Sequence, residues 1–66
     1  MDDFTVENQG SVWLFTARSP EARDEMSMMG LAEWQRLGEF SFGVDHRAAG
    51  GLVEQLRENG FSVGSA

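Results

Sequence analysis

Phe4-Thr5-Val6-Glu7-Asn8-Gln9-Gly10-Ser11-Val12-Trp13-Leu14-Phe15-Thr16-Ala17 reads as two strands and the turn between them. Residues 4–8 alternate apolar and polar side chains, which is the period of a half-buried strand. Residues 11–17 are rich in β-branched and aromatic side chains and form the stronger strand. Between them, Asn8 favours turn initiation and Gly10 accepts a positive φ, so a hairpin is expected. Setting Val6 opposite Val12 places Phe4 opposite Leu14 and gathers these side chains on one face. Trp13 and Phe15 then point to the other face.

Ser19-Pro20-Glu21 follows as a helix start: Ser caps, Pro suits the first helical position and Glu favours the positive end of the dipole. Ala22, Met26 and Met29 recur at helical spacing and Gly30 ends the element, predicting a helix over about 20–29. Residues 31–38 are read as a loop with a helical turn. In 39–44, Phe40, Phe42 and Val44 share one face of a third strand. Asp45 can cap a second helix, over 46–59, with Ala49, Leu52, Val53 and Leu56 as its apolar stripe. Asn59-Gly60 ends it, Phe61-Ser62-Val63 forms a short last strand, and 64–66 is a tail. The order β-β-α-β-α-β makes a single α+β domain over 1–63. It is a two-layer sandwich, a four-stranded mixed sheet with two helices on one face. Strand 40–44, the second helix and strand 61–63 form a right-handed parallel crossover.

Composition removes several chemistries. The 66 residues contain no Cys and no Lys, so a thiolate nucleophile, a disulfide, a Cys-based zinc site and a lysine Schiff base are all excluded. A net charge of −6, with five arginines scattered among carboxylates, offers no basic face for phosphates, and direct nucleic-acid binding is not expected. No apolar run approaches the ~18 residues of a membrane span, and the start Met1-Asp2-Asp3 has no basic, apolar leader. The expected setting is cytoplasmic. No cofactor is expected, and Asp2, Asp3, Asp45 and His46 lack a metal-ligand spacing. Asp45-His46 could make an oriented base, but the pair fits the first turn of a helix better, and no catalytic residue is assigned.

The candidate site residues are partner-binding ones. Trp13 and Phe15, if the second sheet face is open, expose aromatic area for a partner or a second copy; alternatively residues 31–38, with Trp34, cover them. Met28 falls on the surface while Met26 and Met29 reach the core. Gly50 and Gly51 fall on the outer side of the second helix, where either a partner approaches closely or glycine is merely tolerated. The carboxylates Glu21, Asp24, Glu25, Glu54 and Glu58 read as a solvated face, or as a mimic of a phosphate row.

Asn8-Gln9-Gly10-Ser11-Val12-Trp13-Leu14 resembles the N-x-G-S-x-W-L hairpin of small uncharacterised proteins encoded by phages and prophages. Ser19 to Arg23 is similar to the helix start that follows it there, and Val44-Asp45-His46-Arg47 to their V-[DE]-x-R strand-to-helix junction. Ala48-Ala49-Gly50-Gly51 departs from that pattern, where a large side chain follows the Arg. The resemblance implies a phage accessory setting and no mechanism. The expected function is stoichiometric binding of a protein partner, in its sharpest form inhibition of a bacterial defence complex of the anti-CRISPR type. The alternative is a small structural homodimer using the same face or the 61–63 edge strand.

Overall fold

The computed structural model describes residues 2–31 and 35–65. Five strands and two helices follow one another as β1 (Phe4–Asn8), β2 (Val12–Ala17), α1 (Pro20–Met28), β3 (Arg36–Gly38), β4 (Ser41–Asp45), α2 (His46–Glu58) and β5 (Val63–Ser65). The sheet order is β3-β4-β2-β1-β5. All neighbours are antiparallel except β1 and β5, which are parallel. β4 and β5 therefore run in the same direction, and α2 carries the chain between them past β2 and β1.

The class is α+β with a mixed sheet and two helices, as expected, but the sheet has five strands rather than four. The additional strand is β3, in a segment expected to be a loop with a helical turn. Its side chains are all exposed, so it carries no alternating pattern, and pairing to β4 is what makes it a strand. Residues 32–34, including the Trp34 that the alternative reading sets over a sheet face, lie outside the described residues. The last strand also shifts, from 61–63 to Val63–Ser65, which takes Gly64 and Ser65 out of the expected tail; Ala66 lies outside the described residues. Phe61 instead packs edge-on against Phe4, ring centroids 5.5 Å apart.

Both helices start where local chemistry puts them. Ser19 accepts the Ala22 amide at 3.1 Å, and Asp45 accepts the Arg47 amide at 2.8 Å. Gly30 and Gly60, just beyond the two helices, take φ of 67° and 91°, conformations that L side chains rarely adopt.

The hairpin register differs from expectation, with consequences for the whole sheet. Phe4 faces Ala17, Val6 faces Phe15 and Asn8 faces Trp13. A Val6–Val12 pairing would pair Asn8 with Gly10 and leave Gln9 alone to reverse the chain, tighter than the two-residue loops that hairpins favour. The observed turn is wider. The Asn8 carboxamide accepts the Gly10 amide at 2.9 Å, the Gln9 amide reaches the Val12 carbonyl at 3.0 Å, and Gly10 has φ 90°. The change in register is an odd number of residues, so it exchanges the two faces of β2. Phe15 and Ala17 join Phe4 and Phe42 in the core, with Ala22 and Met26 from α1 and Ala49 and Leu56 from α2. One cluster unites both helices with one face of the sheet, and Phe15 stacks on Phe42 at 5.2 Å with an interplanar angle of 11°.

Candidate functional site

Because β2 is turned over, the helix-free face carries Val12, Leu14 and Thr16, not Trp13 and Phe15. Phe15 is fully buried, and Trp13 packs against the core from the helix side. Neither forms the exposed aromatic patch that the alternation alone suggested. Trp13 instead lines a cleft of about 410 Å³ with Val6, Val53, Val63 and Arg57. The Arg57 guanidinium there donates to the Val63 carbonyl at 3.3 Å.

The other candidates stay on the surface but do not meet Trp13. Met28 is 75% exposed on α1 and borders α2 at Leu52 and Leu56. Gly50 and Gly51 are exposed, with nothing within 4 Å of a side chain placed at either. The five residues therefore do not form one surface.

What the helix-free face does assemble is an apolar end and a polar end. At the apolar end, Leu14 faces Gly43 across the β2–β4 ladder. A Cβ on Gly43 would lie 3.0 Å from Val12 Cγ1 and 3.2 Å from Leu37 Cδ1, so these two side chains close over the glycine. With Gln35 and Asp45 they bound a depression of about 280 Å³. Val12 is 40% and Leu37 57% exposed. At the polar end, the Thr16 and Ser41 hydroxyls lie 3.2 Å apart and Arg18 Nε donates to Thr5 Oγ1 at 3.1 Å. Val12 and Leu14 were visible as apolar residues in the sequence but were assigned inward. Leu37 was missed, because the segment around it has no strand period.

Asp45 borders this depression. The Arg47 backbone amide, then its guanidinium, hold the Asp45 carboxyl below the usual carboxylate range. Asp3 is lowered in the same way, first by the Ser62 amide, which it accepts at 2.9 Å, then by the Ser19 hydroxyl. Both groups are more acidic folded than unfolded, so their stabilisation is complete above the unfolded pKa near 3.8 and is lost as pH falls through the folded values. We expect the denaturant midpoint to drop as pH is lowered below about 4. In Asp3→Asn with Asp45→Asn that acid-dependent drop becomes shallower, as chemical unfolding at a series of pH values will show.

His46 clamps the hairpin turn to the start of α2. Its backbone amide donates to the Ser11 carbonyl at 2.9 Å and its Nδ1 lies 3.1 Å from the same oxygen, whereas Asp45 Oδ1 is 3.7 Å away. Among the described residues no group of three or more His, Cys, Asp or Glu could hold a metal ion, and no helix is long and apolar enough to cross a membrane. Compared with protein-family models, curated proteins and solved structures, the chain matches none of them.

Proposed function

We propose that the protein acts by stoichiometric binding of a protein partner through the apolar end of its helix-free sheet face. The observation that carries this is the convergence of Val12 and Leu37, both substantially exposed, over Gly43 at the edge of the depression. The neighbouring edge strand β3 extends that surface with backbone groups on its outer side. The phage accessory setting, the cytoplasmic location and the role as an inhibitor of a bacterial defence complex belong to the same proposal. Their support is the resemblance of the hairpin and of the strand-to-helix junction, together with a composition poor in catalytic groups.

A homodimer is the second reading, with β3 as its pairing edge. At β5 the Arg57 guanidinium already occupies the Val63 carbonyl, a charged cover of the kind that discourages strand addition. The edge at β3 is the better candidate for pairing between copies.

The test uses tagged protein in a bacterial lysate, with Leu37→Asp alongside, and the mass of the purified protein in solution. Leu37 is exposed, so the substitution leaves the fold intact. We expect one partner in fixed ratio with the wild type and its loss with Leu37→Asp. A concentration-dependent doubling of mass, abolished by the same substitution, would favour the homodimer. A partner retained equally by both proteins would remove this face from consideration.

A further inference from the structure

We propose that the groove between α1 and α2 is a second docking site, independent of the sheet face, whose occupant is a basic amphipathic helix of a partner protein. The groove encloses about 340 Å³, with Glu25, Met28 and Met29 on the α1 wall and Leu52, Gln55 and Leu56 on the α2 wall. Met28 is the most exposed large apolar side chain of the protein among the described residues. Flexible thioethers beside leucines make an apolar surface that adapts to what it binds. One turn before Gln55, Gly51 leaves the α2 wall open to close approach.

The lining dictates the form of the occupant. Every wall residue named lies in a helix except Met29, which caps α1, so the groove offers no strand edge to an extended peptide. An occupant must satisfy its own backbone, which a helix does.

Charge dictates its composition. Glu21 and Asp24 stand one turn N-terminal to Glu25 and Met28. None of these three carboxylates makes an ion pair among the described residues. The arginines of the two helices are engaged elsewhere. Arg23 lies over the Phe40 ring at 4.1 Å, Arg47 Nε is 3.2 Å from Asp45, and Arg57 donates to Val63. The last turn of α1 contains no basic residue, so the partial negative charge of its C-terminus adds to the field beside Met28. An apolar floor beside the unpaired carboxylates of α1 selects an apolar stripe flanked on that side by lysines or arginines.

The experiment titrates the full chain against a fluorescent Leu/Lys peptide of about 14 residues, four helical turns, designed as an amphipathic helix. A scrambled peptide of identical composition and a Leu/Glu counterpart are run beside it. We expect the amphipathic Leu/Lys peptide to bind at least about tenfold more tightly than the scrambled one, and the Leu/Glu peptide not to bind. Met28→Lys, at an exposed position that tolerates it, is expected to weaken binding at least about tenfold, while Leu37→Asp leaves it unchanged. Equal binding of the scrambled peptide, no binding at all, indifference to Met28→Lys, or an equal loss with Leu37→Asp would each overturn the proposal. The sheet-face reading stands or falls separately, on the partner lost with Leu37→Asp.

Discussion

Phe15→Ala will leave the protein largely unfolded at room temperature. Phe15 is 0% exposed, faces Val6 and Phe42 across its two ladders, and stacks on the Phe42 ring. Truncating such a residue removes its transfer free energy and leaves a cavity, at a cost of about 3–5 kcal/mol. A core of this size supplies a margin of roughly 3–5 kcal/mol, with no disulfide to supplement it. Cost and margin are comparable, so the cooperative urea transition seen by circular dichroism shifts to near zero denaturant. Val12→Ala, on the same strand and the opposite face, is expected to change stability by only about 0.5 kcal/mol. The contrast is decisive for the hairpin: with Val6 opposite Val12, the tolerant and intolerant positions would exchange.

The second large effect has the opposite sign. Gly50→Ala with Gly51→Ala should stabilise the protein by about 2 kcal/mol, from about 1 kcal/mol for each helical glycine replaced. Both residues lie inside α2, neither has a positive φ, and nothing stands within 4 Å of the methyl groups that would be added. The gain comes from the unfolded chain, which has fewer conformations to lose. At ~4–8 °C per kcal/mol for a domain of this size, thermal unfolding should move upward by about 8–16 °C. A midpoint that falls instead would mean that α2 needs its glycines for something other than its own stability. Gly43 is different: there a side chain would press on Val12 and Leu37, and Gly43→Ala requires those residues to give way.

The turned-over strand changes where partners can be sought. Trp13 and Phe15 are attractive in the sequence because aromatic residues dominate binding energies. Here they fill the space between sheet and helices. Among the described residues the exposed large apolar side chains are aliphatic and thioether, Val12 and Leu37 on the helix-free face and Met28 on α1.

α2 was legible almost to its ends from the residues alone. The Asp45 cap, the stripe Ala49, Leu52, Val53 and Leu56, and the Asn59-Gly60 stop are all local signals, and a helix is satisfied by local hydrogen bonds. The same holds for Ser19-Pro20-Glu21 at the start of α1, and for the outward placement of Met28, Gly50 and Gly51. The strands were legible as strands but not in their pairing. Val12-Trp13-Leu14-Phe15 is apolar throughout, so its period cannot say which alternate set faces inward. That choice depends on the width of the Asn8–Val12 turn and on whether Phe15 can reach Phe42, a residue 27 positions away in the chain. Arg36-Leu37-Gly38 has no strand pattern of its own and is ordered by β4, just as Val63-Gly64-Ser65 is ordered by β1. Local chemistry thus determined the helices and the existence of the hairpin. Tertiary packing alone decided the register, the fifth strand and the candidate surface, because the side-chain period of a strand is two residues and its hydrogen bonds are made with a distant part of the chain.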